Sequence, residues 1–358
     1  MADLKPFRAV RYSDAAGPAA DLVAPPYDAV APDERERLLA RSPYNVLHLT
    51  LPESDEEARR LYREWLERGI LEREDESASW LLVEHYVGPD GIKRDRRGVV
   101  VSLAAEPYET GRVLPHEHTH PQIREERHRL LEATRVQPEP IFLLHDGHLD
   151  VELPAEPPEL EVDGTRLWRL LDLDLAPLAA GALLIADGHH RYESALELDA
   201  HARRIMVLLV SIHDPGLHVF PTHRVFSRRP DLAARGHGEP HETLESALAA
   251  LAEEPRDHSA ALAYRRSGSE LVRGRAGELD AELVDQHGLD GIEYTPERDE
   301  AVAAVDRGEA DVAFLLREPR VDEIFAVARR GERMPPKSTY FFPKPLSGLL
   351  FHPVELEP

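Results

Sequence analysis

A buried-type strand, Ala182 to Ile185, runs straight into Asp187-Gly188-His189-His190-Arg191 and then into a helix through about Leu198. A helix start leaves its first N–H groups without partners, and those groups attract anions. His189, His190 and Arg191 put three more donors on the same turn. A phosphate suits such a turn. The plainer alternative is a capping Asp187 beside surface histidines.

Pro115-His116-Glu117-His118-Thr119-His120 is a second cluster. On an extended strand His116, His118 and His120 would share one face, with Glu117 on the other. The spacing is not the His-Glu-x-x-His of a helical zinc site. Three readings stay open: a metal-dependent hydrolase using the histidines, a solvated loop, and Glu117 as a general base. A carboxylate near an anion site is what hydroxyl activation needs.

The third cluster, Arg333 to Lys344, contains Lys337-Ser338-Thr339, one cation followed by two hydroxyls. That set suits a phosphate or a carboxylate. It lacks the glycines of a Walker loop. The chain has only four lysines, Lys5, Lys93, Lys337 and Lys344, and otherwise chooses Arg. Two of the four in one segment suggest a task that Arg cannot serve. Thr222-His223-Arg224, after an apolar strand, is expected to bring His223 and Arg224 to the same site. Pro25-Pro26-Tyr27-Asp28 is rigid and reads as structural. His145 and His148 read as surface groups.

The elements that must position these residues alternate between strand and helix, which implies an α/β layer architecture. Strands are expected over 7–11, 44–49, 80–87, 98–103, 141–144, 182–185, 205–212, 292–295 and 312–316. Helices are expected from Pro32, Ser54, Pro121, Gly188, Thr243, Glu278, Glu297 and Val321, several with an acidic first turn or a capping side chain. The polar stretch Ser227 to Pro240 reads as a linker. Three regions follow: 1–105, mixed and of unassigned role; 106–228, the phosphate-binding core; and 240–358, an α/β subdomain that closes the site with its Lys-Ser-Thr loop.

Composition narrows the function classes. With 43 Lys+Arg against 67 Asp+Glu the formal charge is −24, unsuited to a nucleic-acid coat or a polybasic membrane binder. The absence of Cys removes disulfides, thiolate metal sites and Cys nucleophiles. No apolar run is long enough to span a bilayer, and the first residues lack a signal-peptide core. A cytoplasmic protein acting on small molecules is the expectation.

Read together, the ordered motifs PPYD (25–28), YNVLHL (44–49), LPHEHT (114–119), IADGHHRYESAL (185–196), PTHR (221–224) and ERMPPKSTYFFPKPLSGL (332–349) resemble the prokaryotic family called domain of unknown function 1015. The resemblance spans essentially the whole chain. A more distant one, to the archaeal free serine kinases of the ParB/sulfiredoxin-like superfamily, rests on Pro115-His116-Glu117, the Asp187–Arg191 turn and Pro336-Lys337-Ser338-Thr339. It implies a ParB/sulfiredoxin-like core with an N-terminal extension and a C-terminal α/β subdomain. It also implies phosphoryl transfer to free L-serine, or the reverse, with ATP or ADP and Mg²⁺. Carried over, Glu117 is the catalytic carboxylate, with His190 beside it. Asp187, Gly188, His189, His190 and Arg191 hold the nucleotide phosphates. Lys337, Ser338 and Thr339, with His223 and Arg224, hold the amino acid. The long region before residue 110 and the Val219–His223 stretch depart from that kinase. The superfamily also leaves open a nucleotide-binding regulatory protein that phosphorylates no metabolite.

Overall fold

The computed structural model describes residues 1–199, 203–234 and 238–354. Its centre is a nine-stranded mixed sheet. In spatial order the strands are Val113–Leu114, Leu183–Asp187, Ile141–His145, Arg204–Ser211, Lys93–Ala104, Ser79–Val87, Thr165–Leu170 and Leu160–Val162, with Leu4–Lys5 beside Lys93–Ala104. The central strand shows why the sheet is covered on both faces. Met206, Leu208 and Val210 enter one hydrophobic cluster, and Ile205, Val207 and Leu209 enter another. Side chains alternate across a strand, so an uninterrupted apolar run serves two cores at once.

A second, six-stranded sheet has the order Glu239–His241, Gly268–Ala276, His258–Arg265, Val312–Leu316, His223–Phe226 and Ile292–Thr295. It too separates two apolar clusters, one around Leu251 and Leu262, the other around Phe226 and Phe314. The chain is therefore mixed α/β with several sheets.

The sheets do not follow the expected boundaries. Strands from 1–105 and from 106–228 pair in one sheet, as Lys93–Ala104 does with Arg204–Ser211. His223–Phe226 belongs to the second sheet, where it pairs with Val312–Leu316. The final segment returns to the first unit: Tyr340–Phe341 pairs with Val219–Phe220, and His352–Pro353 with Val136–Gln137. This return carries Lys337 and Lys344 to the cleft at the end of the strand Leu183–Asp187.

Two local expectations need correcting. Tyr44–Leu49 is not a strand; Leu47–Thr50 is a helical turn. The buried Asn45 accepts from Leu47 N at 3.0 Å and donates to Asp21 O at 2.8 Å, a side-chain-to-backbone arrangement that starts a turn. The linker expected at 227–240 contains a short helix, Pro230–Ala234, and a sheet-edge strand, Glu239–His241; residues 235–237 lie outside the described residues. The helices expected from Pro121 and Val321 are Pro121–Thr134 and Val321–Arg329. Ser54 caps its helix by accepting from Glu57 N at 3.2 Å.

Candidate active site

The strand Leu183–Asp187 ends at Gly188, whose φ of 97° lies in the left-handed region that glycine tolerates. The helix His189–Leu196 starts there with no side-chain cap among the described residues. Tyr192 N bonds back to Gly188 O at 2.9 Å, so the first-turn N–H groups before it have no intrahelical acceptor. Gly188 to Arg191 line a cleft of about 580 Å³, within the size range of small-ligand sites. Its walls include Tyr27 and Asp28, Glu117, Asp187 to Arg191, Tyr294, and Lys337 to Lys344 apart from Ser338. Four distant stretches of sequence thus meet at one helix start.

The floor of the cleft is a chain of ion pairs. Lys344 Nζ lies 2.7 Å from Asp28 Oδ2 and 2.8 Å from Asp187 Oδ1. Arg191 Nη2 donates to Asp187 Oδ2 at 3.1 Å, and Arg191 Nη1 to Pro140 O at 2.8 Å. Glu139 Oε1 accepts from Ser347 Oγ at 2.7 Å and from Tyr27 N at 3.2 Å. Burial pushes the Asp187 carboxyl up, but Lys344 and Arg191 outweigh it and hold the group below the usual carboxylate range. Burial lowers Lys344, and the two aspartates more than reverse that, leaving it a firmly held ammonium.

Glu117 is set apart from this chain. Burial pushes its carboxyl up to about 7; Lys337 pulls down and Asp187 pushes up, with smaller effects from Lys344 and Asp28. Its side chain is still 34% exposed to the cleft. A carboxyl raised towards neutrality suits a group that accepts and returns a proton.

The histidines divide into roles that their spacing did not show. His116 is fully buried; Nδ1 meets Ile185 O at 2.7 Å and Nε2 meets Thr339 Oγ1 at 3.0 Å. Burial lowers it to about 4 and lowers His189 further, so both are neutral. His189 Nε2 accepts from His116 N at 3.3 Å. His190 Nε2 accepts from His120 N at 2.9 Å, which leaves its other nitrogen as the N–H donor. His118 and His120 are exposed. Among the described residues no three His, Asp or Glu side chains gather as a metal site. The three alternate histidines do not converge, because one faces the core and two face solvent. His145, expected at the surface, is fully buried, and neither ring nitrogen has a hydrogen-bond partner among the described residues.

In the last segment, Thr339 touches His116 and Lys337 is exposed at a φ of 54°. Ser338 turns away, its Oγ donating to Pro335 O at 2.7 Å. His223 and Arg224 lie behind the loop rather than along the cleft. His223 Nδ1 accepts from Leu316 N at 3.1 Å. Arg224 is fully buried and reaches Lys337 O at 3.1 Å, Pro336 O at 3.3 Å and Asp285 Oδ1 at 3.2 Å. Arg224 therefore positions the Lys337 loop from beneath. Lys344, Asp28 and Tyr27 were missed as site residues. The scarcity of lysine pointed at Lys344; nothing in a Pro-Pro-Tyr-Asp stretch showed which wall it would meet.

Comparison with known proteins gives a distant structural likeness. A mutant form of free serine kinase in complex with AMP superposes with a TM-score of 0.45 and 18% identity, over 72% of this chain and 92% of that one. A conserved hypothetical protein from Pyrococcus furiosus gives 0.39 and 18%, over 69% and 93%. SbnI with a C-terminal truncation, from Staphylococcus aureus, gives 0.39 and 16%, over 66% and 82%. No curated protein matches the chain. The family model described as "Protein of unknown function (DUF1015)" matches residues 4–286, and the chain belongs to that family.

Proposed function

We propose that the protein is a nucleotide-dependent phosphotransferase that acts on the hydroxyl of a small amino acid, with free L-serine as the first candidate. The observation that carries this reading is Glu117: a carboxyl raised to about 7 in the same cleft as an uncapped helix start and two lysines. Phosphoryl transfer asks a protein mostly for placement and charge. The N–H groups following Gly188 and the N–H of His190 hold the donor phosphates. Glu117 takes the proton of the acceptor hydroxyl as its oxygen bonds to phosphorus and the bond to the leaving nucleotide oxygen breaks. Lys337 and Thr339 hold the acceptor's charged end, and Lys344 offsets the charge of Asp28 and Asp187 beside the phosphates.

Mg²⁺ is the usual counter-ion of nucleotide phosphates and takes carboxylate and phosphate oxygens. Among the described residues no three carboxylate or imidazole side chains gather to hold it, and Asp28 and Asp187 are already bonded to Lys344.

The test is phosphorus NMR of the protein with Mg²⁺, L-serine, and ATP or ADP in separate tubes, together with the reverse reaction from O-phosphoserine. A new phosphomonoester signal that falls by about 10²-fold or more in Glu117→Gln supports the reading. An undiminished rate in that variant sinks it.

A further inference from the structure

The nine-stranded sheet carries a buried ion pair that the proposed reaction does not use. Glu84 and Arg96 stand directly opposite each other on the strands Ser79–Val87 and Lys93–Ala104. Arg96 is fully buried and Glu84 nearly so. Arg96 Nε and Nη2 donate to Glu84 Oε2 at 2.8 and 2.6 Å, and the guanidinium lies over the Phe142 ring at 4.4 Å. Such a pair is a poor stabiliser, because the cost of taking two charges out of water offsets most of their attraction. Arg96 Nη1 has no hydrogen-bond partner among the described residues, which adds to that cost. A third contact gives the pair a purpose other than stability: Arg96 Nη2 also donates to Pro343 O at 2.6 Å.

Pro343 immediately precedes Lys344, the ammonium that bridges Asp28 and Asp187. Phe342, one residue earlier, meets the rings of Tyr86 at 5.5 Å and Phe220 at 6.2 Å, both edge-on. Tyr86 shares a strand face with Glu84 and is itself fixed, its hydroxyl donating to Gly216 O at 2.7 Å. Phe342, Pro343 and Lys344 line the cleft, whereas Glu84 and Arg96 do not. The two strands therefore grip the residues before Lys344 from behind the cleft wall. A long, flexible lysine reaches a fixed point only if the backbone it leaves from is held. We infer that Arg96, oriented by Glu84, is a positioning residue: it fixes the Pro343 carbonyl and so sets the backbone from which Lys344 reaches its two aspartates. The placement rests on geometry, and its consequence for phosphate binding rests on the function proposed for the Gly188 turn. The region before residue 105 thereby gains a task, setting one charge at that turn.

The experiment replaces the pair in the full chain by apolar residues, Glu84→Leu with Arg96→Met, so that neither charge is stranded. The urea midpoint is expected to hold or rise. The affinity for inorganic pyrophosphate, read by calorimetry, should fall about tenfold, because Asp28 and Asp187 beside the phosphates are no longer offset. Lys344→Met added to this variant should weaken pyrophosphate binding little further. It should also move the urea midpoint by less than half of its shift in the unchanged protein, since the lysine has already left its aspartates. Arg96→Lys guards against a misfolded apolar variant: it keeps a charge beside Glu84 but gives up the fork that reaches Pro343 O, and the same two effects should follow. Full-strength pyrophosphate binding in the folded variants would overturn the inference, as would losses that add fully to those of Lys344→Met. A midpoint that collapses in both variants would assign the pair to the core instead. If the unchanged protein binds no pyrophosphate, the proposed function falls, and the urea measurements alone decide whether Arg96 places Lys344.

Discussion

Asp28 and Asp187 share one ammonium: Lys344 Nζ lies 2.7 Å from the first and 2.8 Å from the second. The aspartates come from the Pro-Pro-Tyr-Asp segment and from the end of a core strand, and the lysine from the returning C-terminal segment. One cation thus ties three separate stretches together at the helix start. Like charges facing each other without it would repel, and Asp187 is largely buried.

Lys344→Met should therefore lower both stability and phosphate binding. Removing one partner of a fully buried pair costs roughly 3–5 kcal/mol; partial exposure of Asp28 reduces the expected loss to about 1–3 kcal/mol. The check is the urea midpoint at unchanged slope. Adding Asp187→Asn to Lys344→Met should recover part of the loss, because one of the stranded charges is then gone. Strict additivity of the two losses would contradict the shared-ammonium account.

Glu117 sets the pH behaviour. As the base it must be ionised, so the rate of transfer should rise up to tenfold per unit as pH climbs towards about 7, then level off. Stability should run the other way. The folded carboxyl binds its proton more tightly than the unfolded one, whose ordinary value is 4.5, so the folded state is progressively penalised between 4.5 and about 7. Glu117→Gln removes the penalty. Its stability relative to the unchanged protein should be lowest below 4.5 and highest above 7, read from thermal midpoints at both ends. A gap that does not change with pH would show that Glu117 is not held high.

The parts of this site that could be read in the sequence are those made by one stretch of chain. The strand, Gly188 and helix start were visible because a local apolar run, a glycine and a change of period lie side by side. Glu117 was visible because the acid sits among groups that do chemistry. The histidines were misjudged because spacing gives a face only if the segment is a regular strand. Residues 115–120 form none, so His116 could enter the core while His118 and His120 stayed out. His223 and Arg224 carry donors, as expected, yet those donors are used on Leu316 and on the Lys337 loop. Asp28 meets Lys344 only through tertiary return, which no local pattern contains. The hairpin of His258–Arg265 and Gly268–Ala276 went unanticipated as well. Its alanines and glycines are weak strand formers, and pairing with Val312–Leu316 supplies the missing preference.

Arg224 tests whether the Lys337 loop must be held from behind. Its guanidinium reaches two loop carbonyls, Thr222 O and Asp285, and stacks on Tyr294 at 5.3 Å. Arg224→Lys keeps the charge but cannot place one ammonium on all these acceptors. Under the proposed reaction the acceptor's KM should rise severalfold or more in Arg224→Lys, while nucleotide affinity holds. A parallel loss of nucleotide affinity would mean that the whole cleft, not the loop, had moved.

Gly188→Ala addresses the turn itself. At φ 97° an L side chain is strained, and the new Cβ would meet Arg191 Nη2 at 3.0 Å and Ile141 Cγ2 at 3.3 Å. A residue forced into such backbone costs about 1–3 kcal/mol. The strain can be relieved only by rotating the turn, which would swing the first-turn N–H groups out of line and push Arg191 from Asp187. The expected result is a stability loss in that range together with weakened binding of inorganic pyrophosphate, a probe that needs the turn but no base. Calorimetry with pyrophosphate and a urea titration on the same preparation read the two effects separately. A variant as destabilised as expected that still binds pyrophosphate at full strength would show that the phosphates rest elsewhere, and the assignment of the Gly188 turn would fall.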